Sequence, residues 1–534
     1  MSWRYYLLLG IIGFACVLIV SVFQDSPGYM DAEYYFAGGI RLARGYGFTE
    51  EVLWNYLDDP IGLPHPSHAY WMPLTSILAA AGMAVTGLYQ FSVARVVFML
   101  LAAVVPPLTS YLSFRFNGRR DMAMMSGWLA VFSVFYLAYL PTTDVFGVYM
   151  ILGALSISIY AKWGKNKELS MSRRLYYAFL LGLLAGMMHL ARADGITWLF
   201  ILILVVVSRW FKSDHRRESF RIYMVCIVFS LLGYLVIMGP WMLRNLTVFG
   251  KPVSPGGIRA LWINNYDELY IYPGALLTPV RWWESGLRDI LNARVWAMGQ
   301  NLQTTLAVQG EIFLAPLILL GVWRLRHSLS VRVGLAAWLL SYITMTMIFP
   351  FQGARGGFFH AGSAVQPMLW ATVPLGLEVI LEWGNRWRNW DILQARRFFQ
   401  VGLILLAILL TVLIAYSRIL GSGDQTAWDA NQYRYTQLEK VILAYGASPE
   451  DIVMVNNSPG YFIASGRPSL SIPYGDLQTV LDVADRYRAR YLLLEIDQLQ
   501  GKDDLFDNPG DRPGLQYLGI YKETRIFEFV ESEK

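Results

Sequence analysis

Apolar residues in this chain fall into long runs with few polar interruptions, near 5–23, 92–113, 121–140, 144–161, 176–190, 196–210, 221–239, 311–323, 333–349, 364–381 and 399–416. A bilayer core of ~30 Å takes ~20 helical residues at 1.5 Å each, so the runs predict about eleven membrane-spanning helices. The first follows Arg4, ends at Gln24-Asp25 without a small-residue cleavage site, and reads as a retained signal anchor. A further apolar stretch, 71–88, opens with Pro73 and is rich in Ala and Gly. It is expected to lie in the outer interface without crossing.

The pattern changes beyond residue 420. A helical periodicity over 425–445 precedes short β-like runs at 451–455, 461–464, 469–472 and 490–496. A helix is expected over 477–488 and a final strand over 525–530, with turns at Gly466-Arg467-Pro468 and Pro473-Tyr474-Gly475-Asp476. The expected fold is a polytopic α-helical membrane protein with a small soluble α/β domain. Its boundaries fall at 1–419 for the membrane module, with a first outer loop of interfacial helices at 24–91, and at 420–534 for the α/β domain.

Charge fixes an expected orientation. Five short loops (114–120, 161–175, 209–221, 324–332 and 383–397) hold 20 of the chain's 44 Lys and Arg. With Arg4 inside and 71–88 not crossing, all five face the cytoplasm, as the positive-inside rule demands. The long segments 24–91 and 240–310, the loop 350–363 and the C-terminal domain then lie outside. Only 16% of residues are charged, against about 25% in soluble domains. The net charge of +5 gives no case for nucleic acid. Cys16 and Cys226 both lie inside apolar runs, where they read as packing residues.

No phosphate-binding loop of the G-x-x-x-x-G-K-[ST] type occurs, no G-x-G-x-x-G follows a strand, and Asp-x-Asp is absent. Polar residues collect instead at outer helix ends. Asp31, Glu33 and Arg41 follow the first span, where Asp31 can also serve as a helix N-cap. Two apart, Asp31 and Glu33 would not share a helix face. His65-Pro66-Ser67-His68-Ala69-Tyr70-Trp71 comes next, and its proline spoils a helical metal-binding pair. Asp144 follows Pro141-Thr142-Thr143, Arg192 and Asp194 break two apolar runs, and Arg244 closes Pro240-Trp241. Arg355 and His360 lie in a Gly-rich loop. Capping, local ion pairing and snorkelling explain each of these singly. Together they suit a lipid phosphate gripped by arginines and a carboxylate that takes a proton.

In this order, the segments resemble the GT-C superfamily of membrane glycosyltransferases, most closely the protein O-mannosyltransferases and the bacterial lipid A aminoarabinose transferase. An acidic pair opens the first outer loop of those enzymes, matched by Asp31 and Glu33, and a [KH]-P-x-x-x-Y-W-like segment follows, matched by residues 65–71. Where the aminoarabinose branch has a phosphate-holding lysine before the proline, this chain has His65. The resemblance implies a polyprenyl-monophosphate sugar donor, which at an outer face fits a bacterial plasma (inner) membrane, a lipid, glycan or protein acceptor, and inversion at the anomeric carbon. It implies Asp31 as the catalytic base, supported by Asp144 or Glu33. Candidates for the donor phosphate are Arg41, His65, Arg192, Arg244, Arg355 and His360, with no divalent metal obligatory. The alternative is a transporter or flippase of a lipid-linked sugar, which would carry charges at mid-membrane depth; a non-catalytic assembly subunit is a third reading.

Overall fold

The computed structural model describes residues 2–165, 170–212, 216–421, 426–495 and 503–530. Parts of the basic loops 161–175 and 209–221, and Ile496 at the end of one expected strand, lie outside these residues. Among those described, nine helices are long and apolar enough to cross a membrane, running from Trp3–Ser21 to Ile392–Leu420. The protein is a multi-pass membrane protein.

Two of the eleven expected spans are short helices. The run at 121–140 gives Arg120–Val131, with 12 residues, and the run at 311–323 gives Ala315–Arg324, with 10. At 1.5 Å per residue these reach about 18 and 15 Å. The first ends at Val131, where Phe132 leaves the helical region, and Val134 just beyond takes φ 39°. The second starts after Glu311 and Ile312, at φ 45° and 60°, have broken the helix. Hydropathy records burial and not an unbroken hydrogen-bond ladder, so an apolar run can hold a turn. The 71–88 stretch forms a 13-residue helix, Leu74–Thr86, ended by Gly87 in the left-handed region. That length is too short for a straight span.

Contacts divide the chain into two compact units. One comprises Met1–Phe23, Arg95–Pro252 and Arg294–Gly421; the other comprises Gln24–Ala94, Val253–Ala293 and Ser422–Lys534. Among the described residues, the second unit carries all eight strands: β1 (Thr49–Glu50), β2 (Val52–Leu53), β3 (His65–Pro66), β4 (Ile452–Val455), β5 (Ser469–Ser471), β6 (Ala489–Leu494), β7 (Leu515–Tyr521) and β8 (Thr524–Phe529). β1 and β3 pair alone; the other six form one sheet in the order β2-β5-β4-β6-β8-β7. β2, β5, β4 and β6 are parallel, and the β7–β8 hairpin is antiparallel. The segment between the first two spans therefore supplies an edge strand to the C-terminal sheet. Ser458 Oγ, 405 residues further on, donates to Leu53 O at 2.9 Å.

Alternation along the strands builds a core on each face of this sheet. Met454, Leu492 and Leu494 pack with Val480, Val483 and Tyr487 of the Leu477–Tyr487 helix. Val453, Val455, Tyr491 and Leu493 pack with Tyr435, Leu438 and Ile442 of the Ala430–Ala444 helix. The expected strand at 461–464 is instead part of a helix, Ser458–Ser465. Asn457 caps its start by accepting from Gly460 N at 3.2 Å, Pro459 sits in its first turn, and Gly466 ends it in the left-handed region. Caps outweigh the β propensity of Tyr461, Phe462 and Ile463.

Candidate functional site

In the first unit the Gly-rich segment organises the polar residues. Gly353–Gly357 is a π-turn in which Gly356 takes φ 117°, a conformation open to glycine, and the next turn carries His360. His360 Nε2 lies 3.0 Å from Asp144 Oδ2, and both side chains are buried. Its Nδ1 lies 2.8 Å from Gly356 O, which can only accept. Nδ1 therefore carries a hydrogen, and Nε2 faces a second acceptor. The two contacts fix the orientation of the imidazole against Asp144. Phe146 stacks on the imidazole at 4.3 Å between centroids, and Val145 N donates to Asp144 Oδ1 at 2.6 Å.

Arg192 joins the same segment. Its Nε donates to Asp194 Oδ1 at 2.7 Å and its NH2 to Gly357 O at 3.2 Å, while Tyr149 OH donates to Asp194 Oδ2 at 3.4 Å. The local ion pair expected for Arg192 is present, and the arginine also braces the glycine turn. Arg244 donates to Asn245 Oδ1 at 3.1 Å and lies over the rings of Trp241 and Phe249 at 4.8 and 4.9 Å. Arg355 is exposed.

In the second unit, Asp31 and Glu33 lie in the first turn of Met30–Ala43, whose N-cap is Tyr29 and not Asp31. Asp31 is half-buried, whereas Glu33 is 1% exposed. Glu33 accepts from Asn457 Nδ2 at 2.6 Å, which ties the Met30–Ala43 helix to the cap of the Ser458–Ser465 helix. Burial lifts the Glu33 carboxyl to about 7; Asn457 opposes the shift and Asp31 adds to it. Arg41 spends its donors locally, on Glu51 Oε1 at 2.5 Å and Thr49 Oγ1 at 2.9 and 3.3 Å, and lies over Tyr46 at 4.3 Å.

His65 is held between two carboxylates. Nε2 lies 3.0 Å from Glu50 Oε1 and 3.1 Å from Val52 O, and Nδ1 lies 3.8 Å from Asp58 Oδ2. Burial works against a charged imidazole here, but Glu50 and Asp58 outweigh it and raise the His65 pKa. Burial lifts Asp58 to about 6, with His65 opposing. His68 turns elsewhere, with ring nitrogens 2.8 Å from Ser67 Oγ and 3.1 Å from Ser76 Oγ. Reading the sequence missed Glu50, Asp58 and Asn457 as partners. Asn457 did leave a signal, since Asn456-Asn457 follow the apolar run 452–455 where a buried strand must end.

The fold is similar to that of solved oligosaccharyltransferase structures. The oligosaccharyltransferase of Archaeoglobus fulgidus, tethered to an acceptor peptide containing the NVT sequon, aligns over 92% of this chain and 69% of its own, with TM-score 0.55 and 12% identity. The same enzyme, AglB, with an inhibitory peptide and a dolichol phosphate aligns over 92% and 70%, with TM-score 0.55 and 13% identity. The chain has a GT-C fold. At such identity the likeness is one of architecture. The GT-C fold accounts for the mixture of apolar spans and a C-terminal α/β region. No protein-family model and no curated protein sequence matches the chain.

Proposed function

We propose that the protein transfers a sugar from a polyprenyl-monophosphate donor to an acceptor at the outer face of the membrane. The GT-C fold carries the reading, since its matched structures include an enzyme holding a dolichol phosphate and a peptide. In the reaction, an acceptor oxygen forms a bond to the anomeric carbon as the bond from that carbon to the phosphate oxygen breaks. The configuration inverts, and polyprenyl phosphate leaves with the electron pair. The acceptor proton passes to Asp31, a contribution of about 10²–10⁴-fold.

Asp144 is the second acid of this reading, held in place by His360. Arg244 and Arg355 supply positive charge for the departing phosphate. Because that group is a phosphate already charged, the chemistry does not require a divalent ion. Arg41 and Arg192 serve the fold first, through Glu51 and Asp194. The N-terminus is cytoplasmic and the C-terminal domain extracytoplasmic in this reading.

The test is incubation of the purified protein with a panel of polyprenyl-phosphate sugars and candidate acceptors, followed by mass spectrometry of the lipid. Release of free polyprenyl phosphate from at least one donor is expected. Movement of intact lipid-linked sugar across vesicles, with no donor cleaved, would replace the transferase by the transporter.

A further inference from the structure

The turn that presents His360 cannot hold its own shape. Three of the five residues in Gly353–Gly357 are glycine, and glycine has the most backbone freedom to lose on ordering. Side chains cannot take over the task. One at Gly353 would run into Met345 O, and a Cβ at Gly357 would stand 2.7 Å from Gln352 O. Support has to come from outside the turn, and Arg192 brings it, with NH2 donating to Gly357 O at 3.2 Å.

Two successive carbonyls divide the work. Gly356 O accepts from His360 Nδ1 at 2.8 Å, which sets the imidazole, and Gly357 O accepts from Arg192. The peptide between these residues is planar, so the two groups turn together. A shift at Gly357 therefore carries the His360 ring with it, and the 3.0 Å contact to Asp144 follows.

Arg192 is fixed from its other side. It ends the Met171–Ala191 helix in extended backbone, φ −151° and ψ 143°, and the turn Ala193–Gly195 follows at once. Its Nε donates to Asp194 Oδ1 at 2.7 Å, and the two side chains are only 15% and 7% exposed. Tyr149 OH donates to Asp194 Oδ2 at 3.4 Å and belongs to Phe146–Lys165, the helix that begins just after Asp144. The contacts close a ring: Asp144, His360, the glycine turn, Arg192, Asp194, Tyr149, and back along one helix to Asp144.

We propose that Arg192 is a positioning residue for the transfer, holding the glycine turn at the angle that keeps His360 on Asp144 and so orienting the second acid. The proposal rests on the transferase reading and assigns Arg192 a part in it other than contact with the donor phosphate. Only a planar fork suits this place, since it serves a carboxylate through Nε and a carbonyl through NH2 at once. Lysine would keep the charge and lose the fork.

The experiment measures turnover per folded protein, donor KM and melting for the full chain in nanodiscs, using the polyprenyl-phosphate sugar of the panel that wild type cleaves. Arg192→Lys is expected to lower turnover by about 10–10²-fold, as small misplacements of a reacting group do, with donor KM unchanged. In a His360→Gln background the same substitution is expected to cost less than about twofold, because residues that act through one another are not additive. If the lysine variant fails to fold, Asp194→Asn, which keeps size and an oxygen facing Nε, is expected to lower turnover in the same His360-dependent way. A raised donor KM with turnover intact returns Arg192 to the phosphate and overturns the inference. Lower melting with unchanged turnover per folded protein overturns it too, as does an equal cost in both backgrounds. Wild-type cleavage with Arg192→Lys as active as wild type removes the positioning role and keeps the transferase. Cleavage of no donor by wild type removes the transferase, and the positioning role with it.

Discussion

Replacing Glu33 by glutamine tests whether this acid is a reactant or a buried clasp. Glu33 is 1% exposed and bonded to Asn457, and its carboxyl is raised from 4.5 to about 7 by burial. A group whose folded pKa lies above its unfolded value stabilises the fold below the unfolded pKa and loses that stabilisation as pH rises through the folded one. Glu33 thus favours the folded state fully below about pH 4.5, and the contribution is gone above about pH 7. A rise of this size corresponds to roughly 3 kcal/mol. The glutamine side chain cannot ionise, and its carbonyl oxygen can still accept from Asn457 Nδ2. Glu33→Gln is therefore expected to melt close to wild type at pH 4, a little above it at pH 5.5 and well above it at pH 8.5. The gap expected is on the order of 5–10 °C for a unit of about 200 residues. Tryptophan fluorescence melts of both proteins in detergent at three pH values measure it. Asp58 and His65 titrate in both proteins and cancel in the difference. A gap that stays constant with pH, or a variant that melts lower at pH 8.5, refutes the reasoning. Near wild-type turnover by Glu33→Gln would further assign Glu33 to structure and leave catalysis to Asp31.

Asp31→Asn is expected to lower turnover by roughly 10²-fold or more with donor binding intact, measured by single-turnover donor cleavage; near wild-type turnover makes Asp144 the first candidate base. Removing the His360 ring takes a close partner from the buried Asp144 carboxylate, so His360→Ala is expected to destabilise the first unit by about 3–5 kcal/mol. Adding Asp144→Asn should restore part of that loss, and equal melting of the single and double variants would dismiss the pair. Arg244→Ala and Arg355→Ala are each expected to weaken donor binding by about 1.5–3 kcal/mol, read by competition with polyprenyl phosphate; unchanged binding in both leaves them as interfacial anchors. Cysteine placed at exposed Glu450 should react with an impermeant thiol reagent on intact cells, and labelling only after lysis reverses the orientation.

The sequence by itself determined the membrane character of the chain and the order of its parts. Lipid accepts only backbone that is satisfied internally, so each spanning helix must announce itself as a local apolar run, and nine among the described residues did. β4, β5, β6, β8 and the Leu477–Tyr487 helix were likewise readable, because alternation and capping are local properties. Tertiary structure alone decided what depends on distant partners. Val52–Leu53 is too short to read as a strand until β5 pairs with it. Glu33 became a buried, proton-holding clasp because Asn457, 424 residues away, lies against it. His360 found Asp144 across 216 residues, and a glycine in the left-handed region set the angle. Burial and pairing are sums over neighbours in space, and the sequence orders neighbours only along the chain.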